Sequence, residues 1–209
     1  MRLLVKYLLV LSVHFSFSQD YSYGSIPDEL LKNADAVVRL DRMNVVVSDQ
    51  DLMRITSKRV VTVLNEQGDG DVHAYALYDK SDKITNLEAR IFNKYGEEIT
   101  KIKKKDFIDQ SAVSGGTLYS DSRVLYLRYT PTEYPYTVEF TKEYTTPNTA
   151  FAPSWNFIDG YRVSTEKSEF LFTVECGIPF RHKESNFESY PIEFTATETG
   201  VSYVGSNLK

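Results

Sequence analysis

The chain has 209 residues, of which 42 % are hydrophobic and 13 % aromatic, with one cysteine and a formal net charge of −5. This mildly acidic balance argues against a nucleic-acid surface, which needs clustered Lys and Arg. A lone cysteine excludes an intramolecular disulfide, so stability must come from a hydrophobic core that the aromatic rings can supply.

Residues 1–18 have the layout of a secretory signal. Arg2 and Lys6 form a positive n-region, and Leu8 to Phe17 is apolar except for Ser12, His14 and Ser16. Ser16 and Ser18 suit a signal peptidase, which places cleavage before Gln19 and the mature protein in the periplasm or at the cell surface. The apolar run falls short of the ~20 residues of a spanning helix, and Asp20 follows at once, so export is expected rather than anchoring. No cysteine stands near the cleavage point to carry a lipid. Cleavage would remove two positive charges and no negative ones, taking the net charge from −5 to −7.

Ser25 to Lys32 predicts one short helix, with Ser25 as cap, Pro27 in the first turn, and Asp28 and Glu29 complementing the helix dipole. Strands are expected over Ala36–Ser48, with Met43, Val45 and Val47 on one face, and over the β-branched stretch Arg54–Leu64. Residues 65–71 turn the chain, and His73 to Tyr78 is extended. Ile84 to Phe92 alternates, with Leu87, Ala89 and Ile91 opposite Glu88 and Arg90. A turn at residues 93–96 should fold Glu97–Ile102 back on it. The basic cluster Lys101, Lys103, Lys104 and Lys105 reads as a solvated strand edge, where lysine discourages edge-to-edge pairing.

Phe107 to Asp121, with Ser114, Gly115 and Gly116, reads as a loop. From Arg123 to Thr145 two strand patterns are joined by a Pro-bearing turn. In the second, Tyr136, Val138, Phe140 and Tyr144 alternate with Thr137, Glu139, Thr141 and Glu143, as a half-buried strand requires. Residues 145–160 are irregular and aromatic. Strands are expected again over Glu166–Glu175, near Ile192–Thr197 and near Ser202–Val204.

Many short strands with one apolar face each, and no helical patterns between them, predict an all-β chain. The expected form is a two-layer antiparallel β-sandwich with one short N-terminal helix. A single large curved sheet or an open barrel is the alternative. About 190 residues after cleavage suffice for one large β domain.

The runs at Leu87–Ile99, Lys103–Asp109, Gly115–Tyr129 and Pro135–Tyr144, with the Trp155 region, resemble the DUF3857 family, a domain of unknown function in exported bacterial proteins. With the preceding strands the resemblance covers most of residues 25–175. It implies a signal at 1–18, an N-terminal segment with the helix at 19–34, and the β-sandwich at 35–175. Residues 176–209 would supply C-terminal strands or a connection to a following domain. In proteins of this kind, often from Bacteroidetes-type bacteria, the following domain is transglutaminase-like with a Cys-His-Asp site. The implied role here is therefore a non-catalytic accessory module whose partner is that domain, in the same chain or a separate one.

No catalytic set, cofactor site or metal site is expected from the residues themselves. Cys176 is the obvious nucleophile to consider, with His182 six positions on and Glu175, Glu184 and Glu188 nearby. It ends a strand and precedes Gly177-Ile178-Pro179, which does not start the helix that would lower a thiol's pKa, so a structural role is favoured over a hydrolase. Glu66, Asp69 and Asp71 around Gly68 and Gly70 hint at calcium but lack EF-hand spacing, and ordinary turn chemistry explains them. His14, His73 and His182 have no zinc spacing.

Two aromatic groups remain. Tyr119, Tyr126, Tyr129, Tyr134 and Tyr136 read as core and cross-strand pairs. Phe151, Trp155, Phe157 and Tyr161 lie in a loop, where rings serve recognition more often. Trp155, Phe157 and Tyr161 are therefore the expected contact surface, either for the partner domain or, as the alternative, for an extracellular glycan or peptide bound by a free-standing module.

Overall fold

The computed structural model describes residues 21–112 and 121–209. The expected signal at 1–18, with His14, and Ser114, Gly115, Gly116 and Tyr119 lie outside the described residues.

The chain begins with a 3-10 turn at Tyr23–Ser25 and the helix α1 at Asp28–Leu31. Then follow strands β1 (Ala36–Asp49), β2 (Leu52–Val63), β3 (Tyr75–Tyr78), β4 (Lys83–Phe92), β5 (Glu98–Lys103), β6 (Ile108–Ser111), β7 (Arg123–Tyr126), β8 (Tyr136–Thr146), β9 (Val163–Val174), β10 (Ile192–Ala196) and β11 (Gly200–Leu208). They form an eight-stranded sheet in the order β10-β11-β9-β1-β2-β8-β4-β5 and a three-stranded sheet in the order β3-β7-β6. The chain is all-β, as its alternation requires. Pairing is antiparallel except between β1 and β9, which run parallel from Ala36 opposite Val163 to Val47 opposite Val174. That departs from a purely antiparallel sheet, and alternation, which is the same in both kinds of pairing, does not reveal it. Among the described residues no helix is long and apolar enough to cross a membrane.

One face of the large sheet is apolar almost throughout. At one end Ala36, Val38, Val61, Val63, Ile91 and Val138 pack together beneath Leu127, Tyr129 and Tyr134. Along the β4–β8 side the small sheet lies on this face, with Ala76 and Leu125 meeting Leu87, Ala89 and Phe140. At the other end Val45, Val47, Ile55, Phe170 and Tyr203 are covered by irregular chain carrying Trp155, Phe180 and Phe187. Burial of this kind stabilises by about 25 cal/mol for each Å² of apolar surface removed from water.

Among the described residues the opposite face is charged and largely open, except where the N-terminal segment crosses it. There Leu30 and Ile26 pack on Val37. The Ser164 hydroxyl donates to the Leu30 carbonyl at 2.6 Å, and the Arg39 guanidinium donates to Glu166 and Ser25. Tyr21 donates to Glu139, which also pairs with Lys58 at 2.8 Å. Thr137 and Glu139, expected on a solvated face of β8, are consequently buried. Burial and the Glu139 carboxylate hold the Tyr21 phenol far above its usual pKa.

Two local expectations change. Pro27, not Ser25, occupies the helix N-cap, and the Ser25 hydroxyl instead donates to the Ser22 carbonyl at 2.7 Å. The stretch expected to be a loop from Phe107 contains β6, which pairs with β7 from Ile108 opposite Tyr126 to Ser111 opposite Arg123. Residues 176–209 supply β10 and β11, and β11 joins the large sheet beside β9.

Candidate functional site

The aromatic loop between β8 and β9 is anchored at its centre. The Trp155 indole N–H donates to the Ser168 hydroxyl at 2.9 Å, and its ring lies 5.2–6.3 Å from those of Phe157, Phe170, Phe187 and Tyr203. Phe157 is buried against Phe187 and Tyr190. Trp155 and Phe157 are thus the packed root of the loop. Tyr161, the third of the expected contact residues, is 101 % exposed, and Phe151 is 81 % exposed.

The root sets the shape of the surface. An open groove of about 670 Å³ runs past Phe151, Trp155, Phe180, Arg181 and Phe187. A second groove of about 480 Å³, lined by Tyr161, Arg162, Lys32 and Lys209, meets the first at Ile158 and Tyr190. Two exposed rings therefore stand beside adjoining concavities, the first of them lined by the packed rings of Trp155, Phe157 and Phe187. Such surfaces suit flat, partly apolar partners because rings lose little rotamer entropy on contact.

Tyr161 is fixed by its neighbour. Arg162 holds a left-handed backbone (φ 64°), and its carbonyl accepts from the Asp35 N–H at 2.7 Å. Its guanidinium donates to both Asp35 carboxylate oxygens, and Asn65 donates to the same carboxylate at 2.9 Å. These hydrogen bonds from Arg162 and Asn65 hold the Asp35 carboxyl down at about 2. The Glu66–Val72 turn sits closely on the same residue, because a Cβ on Gly68 would stand 2.2 Å from the Asp35 carbonyl oxygen.

A charged band crosses the apolar face near its middle. Arg59 on β2 pairs with Asp41 on β1 at 2.7 Å and with Asp159 of the aromatic loop, and it donates to the carbonyls of Asp71 and Val72. Burial pushes the Asp41 carboxyl up against the pull of Arg59, and burial pushes the Lys142 ammonium down. Each element here (β1, β2, the turn before β3 and the loop before β9) is tied to one guanidinium. The sequence hint was an arginine beside the β-branched run Val60-Val61-Thr62-Val63, which an ordinary surface residue equally explains.

The other candidates are placed as follows. Cys176 is exposed, and its thiol contacts the Val47 carbonyl at 3.8 Å. His182 packs on Phe180, Phe194 and Tyr203 and faces Glu184 at 3.9 Å, while Glu184 accepts from the Tyr203 hydroxyl at 2.8 Å. His182 and Glu184 come together; Glu175 follows β9, with its N–H bonded to the Val47 carbonyl at 2.9 Å. Glu188 is exposed in the segment before β10. Asp69 accepts from the hydroxyls of both Tyr134 and Tyr136, at 2.8 and 2.9 Å, which ties the Glu66–Val72 turn to β8. The Tyr134 phenol is thereby raised to about 12. Tyr129 and Tyr134 pack beside Tyr136, as expected of core rings. Asp71 is raised by burial, and His73 stacks edge-on with Tyr75. Among the described residues no group of three or more His, Cys, Asp or Glu is placed to hold a metal ion.

The family model described as "Domain of Unknown Function with solved-structure structure (DUF3857)" matches residues 49–204, from the last residue of β1 into β11. No curated protein matches the chain. Among solved structures, a protein from Parabacteroides distasonis described as a "putative protease" is similar in fold, with a TM-score of 0.56 and 11 % identity over 83 % of this chain. The chain spans 36 % of that protein's length.

Proposed function

The chain belongs to the DUF3857 family, and from that premise we propose that it is a non-catalytic, two-layer β module that docks a transglutaminase-like domain and positions it or its substrate. The observation that carries this reading is the pair of exposed rings, Phe151 and Tyr161, held over adjoining grooves by a packed root. Exposed rings cost free energy in water and recover it when a partner covers them. That this chain spans about a third of the Parabacteroides distasonis protein suits a module within a larger whole. Export to the periplasm or cell surface is part of the proposal and rests on the signal-like pattern of residues 1–18.

Calorimetric titration of the purified chain with a transglutaminase-like domain tests the reading. Binding is expected, with a loss of about tenfold or more in the Phe151→Ser, Tyr161→Ser double variant. Undiminished binding by that variant would reject the grooves as the docking surface. Binding of a glycan or peptide in place of the domain would favour the free-standing alternative.

A further inference from the structure

The two edges of the eight-stranded sheet differ. At one edge, β5 presents Lys101 and Lys103, Lys101 pairs with Glu88 at 2.9 Å, and the β4–β5 register slips between Ile91 and Phe92. Lysines and irregular register are how a sheet prevents another strand from adding to it. At the other edge, β10 reads Ile192-Glu193-Phe194-Thr195-Ala196, with no lysine or proline within the strand.

Among the described residues no strand pairs with the outer side of β10. The Thr197 N–H donates to the Gly200 carbonyl at 2.9 Å, and the register back to Ile192 opposite Gly205 is regular. In an antiparallel ladder the bonded pairs recur every second residue, so Thr195 and Glu193 face β11. The N–H and C=O groups of Phe194 and Ala196 consequently point away from the sheet, while the Ile192 N–H is taken by the Tyr190 carbonyl at 2.9 Å. The side chains are sorted as well. Phe194 is 47 % exposed and packs on Tyr203 and His182, on the same sheet face as the aromatic root. Glu193 is exposed on the opposite face.

We propose that the β10 edge is a strand-addition site for an extended peptide that places an aromatic or branched residue beside Phe194 and a lysine or arginine beside Glu193. The backbone groups of Phe194 and Ala196 would supply the ladder, and the alternating side chains the selectivity. A peptide fits this edge better than a second copy does. Five residues of edge are short of the ~800 Å² per partner that stable protein interfaces bury, and the chain's net charge of −5 favours a cationic ligand over itself.

The test uses the whole chain and the capped peptide acetyl-Lys-Val-Lys-Phe-Lys-Val-Lys-amide, with binding followed by calorimetry. A second peptide is N-methylated at the phenylalanine and valines, whose amides face β10 when phenylalanine sits beside Phe194. The expected results are binding of the first peptide and a loss of about tenfold or more on N-methylation. Glu193→Lys should weaken binding about fivefold and shift preference to the glutamate analogue, and Phe151→Ser should leave it unchanged. Any of three results would overturn the proposal: no binding at millimolar peptide, indifference to N-methylation, or loss of binding in Phe151→Ser, which would put the peptide in the groove. Sedimentation showing a dimer that dissociates in Phe194→Lys would overturn it too, by giving the edge to a second copy. Because the variants differ, this site and the docking reading can fail separately.

Discussion

The Trp155 indole N–H ends on the hydroxyl of Ser168, a residue of β9 that is fully buried, so an irregular loop is fastened to the centre of the large sheet by one directional bond. Trp155→Phe keeps most of the ring packing but leaves the Ser168 hydroxyl without that donor, and should cost about 1–3 kcal/mol in denaturant unfolding. Adding Ser168→Ala to Trp155→Phe should recover part of the loss, since removing both partners is cheaper than removing one. Additive losses would show that the bond contributes nothing beyond ring packing.

Arg59 is the other fastening. Arg59→Met leaves the Asp41 and Asp159 carboxylates together without their guanidinium, and a loss of about 3–5 kcal/mol is expected. Burial already raises Asp41. A folded pKa above the unfolded one favours the folded state at low pH and opposes it as pH rises through the folded value. The defect of Arg59→Met should therefore be full where both carboxylates are ionised and shrink as pH falls towards the ordinary carboxylate range of about 4. A defect independent of pH would exclude the two carboxylates as its cause.

Asp35 works in the opposite sense. Arg162 and Asn65 lower its folded pKa to about 2, below the ~3.9 of an unfolded chain. Its contribution is thus complete above about pH 4 and is lost as pH falls towards about 2. Stability curves of wild type and Arg162→Met should converge over that window, and parallel curves would contradict the latch. Because the latch positions Tyr161, hydrogen exchange of residues 158–163 should quicken in the variant at neutral pH.

What the sequence revealed and what it concealed divide along physical lines. β8 was legible because Tyr136, Val138 and Phe140 repeat every second residue and all face the core. The parallel partnership of β1 with β9 was not, because pairing joins residues 127 apart, such as Ala36 and Val163, and local alternation carries no information about partners. β6 was hidden because Ile108-Asp109-Gln110-Ser111 is short and polar, and becomes a strand through pairing with β7. In the candidate surface, composition marked the aromatic loop but could not say which rings turn inward. Trp155 and Phe157 turn towards Phe187, and Phe151 and Tyr161 turn out, because the Ser168 bond and the Asp35 latch fix the loop at two points.

Nitrogen relaxation of the chain joined to a transglutaminase-like domain tests the proposed docking role most directly. One rotational correlation time shared by both domains is predicted, separating into two in the Phe151→Ser, Tyr161→Ser variant. Two independent correlation times in the unaltered protein would contradict a docked module.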